Sequence, residues 1–182
     1  MFSAPSGAGP RRAAFTLLEL LAVIAIIAVL AGIILGVGRH AAETGRVART
    51  RAELAALAVA LEDYQRALGD YPQTDDAAQL LQSLIGRRGP RSAVIAARVL
   101  IEATRFRTAN ARDPFTEASA VLIDPWDRPY RYAYKVPAAG WTNSSYVLYS
   151  AGPDGRDSGV LLPGGFPDVT AAGNADNLHA NR

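Results

Sequence analysis

Asp154, Asp157, Asp168, Asn174, Asp176 and Asn177 fall within one glycine-rich stretch near the C-terminus. Carboxylates and carboxamides gathered in this way suit the binding of a hard cation. Calcium takes about six to eight oxygens, backbone carbonyls included, with lenient geometry. The spacing is not that of an EF-hand, and turn formation is the other account of the same residues. Other chemistry finds little support. The chain has no Cys, so thiolate sites and disulfides are excluded. His40 follows closely on a long apolar run and His179 stands near the C-terminus, so the two are badly placed for a shared site. Asp157-Ser158-Gly159 has the order of a serine nucleophile, but lacks the preceding Gly and a credible His base. There is no Walker loop, no H-E-x-x-H and no dinucleotide fingerprint. The residues point to a non-enzymatic protein.

A second unusual acid is Glu19. It is the one charge in FTLLELLAVIAIIAVLAGIILGV, from Phe15 to Val37. A run this apolar predicts a membrane-spanning helix, since about 20 helical residues cross a hydrocarbon core roughly 30 Å thick. A carboxylate at the centre of such a helix costs roughly 2.5–3.5 kcal/mol on insertion scales, and less near an end. Glu19 therefore needs a partner, an interfacial position or a proton.

The residues around it form a pattern. Arg11-Arg12-Ala13-Ala14-Phe15-Thr16-Leu17-Leu18-Glu19 resembles the processing site of type IV prepilins and type II secretion pseudopilins. The resemblance implies a leader of residues 1–14, cleavage between Ala14 and Phe15, and methylation of the new Phe15 amine. Glu19 takes the place of the family's signature acid. The family usually carries Gly before the cut, where this chain has Ala14. In a filament of parallel helices the Phe15 amine of one subunit could meet Glu19 of the next. Such a pair sets register, because a misaligned subunit would leave a charge unpaired.

The basic excess lies in the leader. The formal charge is +2, from 19 basic and 17 acidic residues. Loss of Arg11 and Arg12 takes 19 basic residues to 17, against 17 acids. A neutral mature chain lacks the basic footprint of a nucleic-acid binder, and none is expected as a partner. Seven Arg and one acid between Gly86 and Arg112 read as a solvated face.

The elements that position these residues can be read in order. Residues 15–38 are the membrane helix and 39–70 its amphipathic continuation. Val47, Thr50, Leu54, Leu57, Leu61, Tyr64 and Leu68 recur at steps of three and four, which places them on one face. Arg49–Glu53 and Glu62–Arg66 are i,i+4 pairs on the other faces. Gly69 and Pro72 end the helix. Asp75 and Asp76 can cap a short helix carrying Leu80, Leu81, Leu84 and Ile85. Pro90 predicts a further helix over Arg91–Phe106. Ala120–Ile123, Tyr130–Val136 and Ser145–Ser150 read as three antiparallel strands. Trp126 reads as a structural plug at the sheet edge. The fold class is α+β. A long N-terminal helix, membrane-spanning in its first half, packs on a small C-terminal antiparallel sheet in a head of residues 71–182.

Three more stretches resemble the major pseudopilins of type II secretion. They are Leu61–Pro72, Asp124–Tyr130 (D-P-W-x-x-P-Y) and Tyr149–Gly155. The Arg91–Phe106 segment departs from that pattern, being longer than its counterpart. The resemblance implies a type IV pilin-like fold in the bacterial inner membrane, single-pass, with the head in the periplasm. It implies a homopolymer filament, with minor pseudopilins, a prepilin peptidase, an inner-membrane assembly platform and membrane lipid as partners. It also implies calcium in the C-terminal loop. Asp154 and Asp176 match the family's acidic positions. Asp157, Asp168, Asn174 and backbone carbonyls near Leu148 and Ser150 are the other candidates. Asn174 and Asn177 stand where the family often has a further acid. The competing readings are a type IV pilus or DNA-uptake pilin, and a membrane-anchored binding protein that never polymerises.

Overall fold

The computed structural model describes residues 16–135, 140–143, 145–159 and 161–180, without the side chains of 33–39. The processing residues Ala14 and Phe15 lie outside the described residues. The chain divides into two units, residues 1–42 and 43–182. Each is described by itself.

Helix α1 is Leu17–Leu68. In the first unit the described side chains of 16–32 are all exposed, Leu17 at 84% and Ile24 at 56%. A helix apolar all round needs a surrounding that the described residues of its own chain do not supply. Among the described residues no helix is long and apolar enough to cross a membrane. The apolar run extends past them, since Phe15 and the side chains of 33–39 lie outside.

In the second unit α1 contributes one buried face. Thr50, Leu54, Leu57, Leu61 and Tyr64 are almost fully buried, as their spacing predicts. Gly69, at φ +87, ends the helix, and its N–H donates to the Gln65 carbonyl at 2.8 Å. Only glycine takes that conformation without strain. Arg49 pairs with Glu53 at 2.7 Å. The expected Glu62–Arg66 pair is replaced. Arg66 meets Asp63 at 2.7 Å, and Glu62 accepts from the Tyr71 hydroxyl at 3.0 Å.

Helix α2 is Ala77–Leu84, capped by Asp76, whose carboxylate accepts from the Ala78 and Gln79 amides. Its Leu80, Leu81 and Leu84 join the α1 face in one core, with Tyr71, Ile101, Leu122, Tyr130, Tyr132, Tyr146 and Leu148.

The segment after α2 corrects the sequence reading. Arg91–Phe106 is not a helix. It runs extended, with only a single 3-10 turn at Ala103–Arg105. Its amides serve the end of α2 instead. Leu100 N donates to Leu84 O at 2.9 Å, Ala97 N to Gly86 O at 2.8 Å and Ile95 N to Arg87 O at 3.1 Å. The last carbonyls of any helix need outside donors. The extended strap answers the last of them, Leu84 O, and pairs with Gly86 and Arg87 of the turn that follows. Ser92 also sits at φ +58, which a helix starting at Pro90 would not allow.

The strands are short. β1 (Arg107–Thr108) pairs antiparallel with β2 (Leu122–Ile123). β3 (Arg131–Tyr134) pairs with β4 (Tyr146–Ser150), Tyr132 facing Leu148. β5 (Leu161–Leu162) and β6 (Phe166–Pro167) form a hairpin. β7 (Leu178–His179) adds to the other edge of β4, giving the sheet order β3-β4-β7. The third strand of that sheet thus comes from the C-terminal stretch, and not from Ala120–Ile123 as expected. Leu122 and Ile123 turn to the Arg-rich strap, where β1 lies in register.

Candidate functional sites: the helix start and the C-terminal loop

At the start of α1, Thr16 precedes the first helical residue and Glu19 stands three residues on. The Thr16 amide donates to Glu19 Oε2 at 3.2 Å, and the Thr16 hydroxyl to the same oxygen at 3.3 Å. The Glu19 amide donates to Thr16 Oγ1 at 3.2 Å. This is a capping box, in which each residue satisfies the other's helix-end donor. Glu19 thus finds a first partner within its own segment. A carboxylate offers about four acceptor sites, so Thr16 leaves it capacity for an incoming donor.

The second unit carries its polar residues in a chain of bonds from α1 to the C-terminal loop. Trp126 Nε1 donates to Glu43 Oε1 at 2.9 Å. The Tyr130 hydroxyl donates to Glu53 Oε2 at 2.5 Å. Burial first, then Glu53, raises the Tyr130 hydroxyl well above the ordinary tyrosine value. Asp124 is fully buried between these tyrosine and tryptophan positions and the loop. Its Oδ1 accepts from the Trp126 and Arg128 amides at 2.9 and 3.0 Å. Its Oδ2 accepts from the Ser150 hydroxyl at 2.6 Å, and Ser150 Oγ accepts from the Gly152 amide at 3.1 Å. The D-P-W turn and the S-x-G turn are thus joined through one carboxylate.

In the loop, Asp176 Oδ2 accepts from the Asp154 amide at 2.9 Å, which brings those two residues together. Asp154 Oδ1 accepts from Arg156 N at 2.7 Å. Asp157 turns away. Its Oδ2 accepts from the Tyr149 hydroxyl at 2.8 Å, with Arg131 at 3.8 Å, and its Oδ1 accepts from Gly159 N. Asp168 closes its own turn, accepting from the Thr170 hydroxyl at 2.7 Å and the Thr170 amide at 2.9 Å. Those donors, the hydroxyl first, hold its carboxyl below the usual range. Asn174 Oδ1 accepts from Ser158 N at 2.9 Å, and its Nδ2 donates to Ser158 Oγ and to Asp168 O. Gly152, at φ +64, lies against the Asp176 carbonyl with no room for a Cβ.

These features coincide with known sequence families. The family model for the type II secretion system protein G matches residues 39–162, and that for the prokaryotic N-terminal methylation motif matches residues 9–35. The chain belongs to the type II secretion system protein G family. It is similar to the type II secretion system core protein G of Pseudomonas aeruginosa, with 25% identity over 168 residues, 92% of this chain and 97% of the relative. No solved structure matches it. The chain is thus a pseudopilin, a structural subunit of the type II secretion pseudopilus.

Does the loop of this pseudopilin fit the calcium ion that the resemblance implies? Of the expected ligands, Asp154 meets Asp176, and Asn174 meets the Asp168 carbonyl through its own N–H. Among the described residues no three acidic or His side chains cluster around a point that could hold a metal. The expected carbonyl of Leu148 accepts from Ala180 N at 2.9 Å, and Ser150 is paired with Leu178 across the β4–β7 ladder. As arranged, the carboxylates among these residues do not gather into the many-oxygen shell that the ion needs.

Sequence reasoning also missed residues. Asp124, Glu43 and Glu53 carry the bonds between helix, turn and loop, yet their partners lie 26 to 83 positions away in sequence. Asp124 had a signal in the D-P-W motif, where a buried acid ahead of a turn can accept two amides. Glu43 had none.

Proposed function

We propose that this pseudopilin is cut between Ala14 and Phe15 by a prepilin peptidase and polymerises through its N-terminal helix. The subunits would form a periplasmic pseudopilus, a homopolymer joined by minor pseudopilins and built on an inner-membrane assembly platform. The apolar sequence Phe15–Val37 would hold each subunit in the inner membrane, with the head in the periplasm. The observation that carries the reading is the methylation-motif match at residues 9–35, ahead of the matched body at 39–162.

Thr16 and Glu19 supply the chemistry. Before assembly the capping box gives the carboxylate two donors, which lessens the cost of holding it in apolar surroundings. After cleavage the Phe15 amine of a neighbour would add the opposite charge. The carboxylate then bridges its own helix start and the next subunit. A subunit displaced along the filament loses that bridge, so the pair sets register more than it adds stability.

Mass spectrometry of the N-terminus of membrane-extracted protein tests the reading. A mature chain beginning at a methylated Phe15 is expected. A chain still beginning at Met1 in cells with active prepilin peptidase would sink it.

A further inference from the structure

Arg128 lies in the D-P-W-D-R-P turn, and its side chain reaches the C-terminal loop. Nη1 donates to Gly152 O at 2.7 Å and to Pro153 O at 3.4 Å. Its guanidinium lies against Gly155, at φ +68, so a Cβ there would push the guanidinium aside. The Arg128 amide is fixed in turn by buried Asp124. A guanidinium keeps its charge at any pH a protein meets.

Two buried carboxamides act on the other side of the loop. Asn174 is 6% exposed and Asn177 7%. Asn174 Nδ2 donates to Asp168 O at 2.7 Å and to Ser158 Oγ at 2.9 Å. Asn177 faces two backbone carbonyls. Assigned by hydrogen-bond pairing, its NH2 group donates to Ala151 O at 3.2 Å and Arg156 O at 3.3 Å.

We infer that a clamp of nitrogen donors, the Arg128 guanidinium with the Asn174 and Asn177 carboxamides, closes the C-terminal loop without any bound divalent cation. The argument is one of competition for oxygens. Calcium would need about six to eight of them. The carbonyls of Ala151, Gly152, Pro153, Arg156 and Asp168 already receive N–H groups. Asp157 and Asp168 each face donors of their own, Tyr149 and Thr170. Each bond takes up part of an oxygen's acceptor capacity, and a cation at the Gly152 and Pro153 carbonyls would meet the fixed charge of Arg128. Asn at 174 and 177 suits the clamp better than Asp, because a carboxylate has no N–H to give. The inference rests on hydrogen bonds within the head. It is independent of whether subunits polymerise.

Hydrogen exchange of the full chain in detergent tests it, with calcium itself as the probe. Amides of residues 150–159 and 174–180 should exchange at the same rate in calcium and in chelator. Arg128→Met keeps the stem and removes the donors. It should raise exchange at 150–159 at least tenfold in both buffers, with residues 54–64 of α1 unchanged. Asn177→Asp should open the same loop in chelator. Faster loop exchange of the unaltered chain in chelator would overturn the inference. So would either variant leaving the loop closed in chelator. If Arg128→Met unfolds the whole head, Asn177→Asp and the comparison of the two buffers still decide.

Discussion

Trp126 Nε1 donates to Glu43 Oε1 at 2.9 Å, joining a turn of the head to a point 83 residues earlier on α1. The ring is half-buried, and its polar tip has this one assigned partner. Buried or half-buried tryptophans usually find such a partner. Arg46 stands 3.7 Å from the other Glu43 oxygen and holds the carboxylate in place. Trp126→Phe keeps much of the apolar body and removes the donor. The expected cost is about 1 kcal/mol, since Glu43 is partly exposed and water can replace the indole. Glu43→Gln should be milder, because an amide oxygen still accepts. Thermal melts of the two variants check the order.

Asp124 should be far more sensitive. It is fully buried and accepts from the Trp126 amide, the Arg128 amide and the Ser150 hydroxyl. Asp124→Ala leaves those donors unpaired in the interior and is expected to cost about 3 kcal/mol. Asp124→Asn retains one acceptor oxygen and should cost less. Denaturant titration gives both values. A loss below about 0.5 kcal/mol for Asp124→Ala, the range of ordinary surface changes, would mean that the two turns are not held through this carboxylate.

Glu19 separates capping from charge. A glutamine at this position of a capping box can still reach back to the Thr16 amide. Glu19→Gln should therefore insert and start its helix normally, yet assemble poorly, because it offers no charge to a neighbour's amine. Glu19→Ala loses both functions. Membrane fractionation together with filament counts by electron microscopy tells them apart. Full-length filaments from Glu19→Gln would show that the cap, and not the charge, is what assembly needs.

The tyrosines set an alkaline limit. Burial pushes the Tyr64 hydroxyl up to about 12. Burial and then Glu62 push Tyr71 up to about 12, and burial and then Asp70 do the same for Tyr134. Each sits in the interior or against an acceptor. Tyr64 donates to Arg88 O at 2.8 Å, and Tyr134 to Asp70 Oδ2 at 2.6 Å. An unfolded tyrosine ionises near pH 10. The native state holds its proton longer, so this stability is full below pH 10 and is lost as pH rises towards 12. Melting temperature measured against pH should fall steeply over that window, with tyrosinate absorbance rising alongside. A flat profile up to pH 12 would contradict it.

Local periodicity was enough for the helical half of the head. Thr50, Leu54, Leu57, Leu61 and Tyr64 repeat at the helical step, and a helix has only one way to place them on one face. Gly69 and Asp76 act on their nearest neighbours, so their capping roles were also legible. The processing pattern around Phe15 and Glu19 is likewise a property of consecutive residues. Residues 91–106 were not legible, because their amides pair with the Leu84 carbonyl at the end of α2 and with Gly86 and Arg87 of the turn after it, and those partners are in place only once α2 has formed. Sheet membership failed for a related reason. Leu122–Ile123 and Leu178–His179 are two-residue strands with equal local claims, and the partner edge decides between them. The loop shows the limit most plainly. Acidic spacing suggested a cation, but whether an oxygen is available depends on the N–H groups that reach it. Arg128, Asn174 and Asn177 reach those oxygens only in the folded chain, because a hydrogen bond acts over about 3 Å of space whatever the distance in sequence.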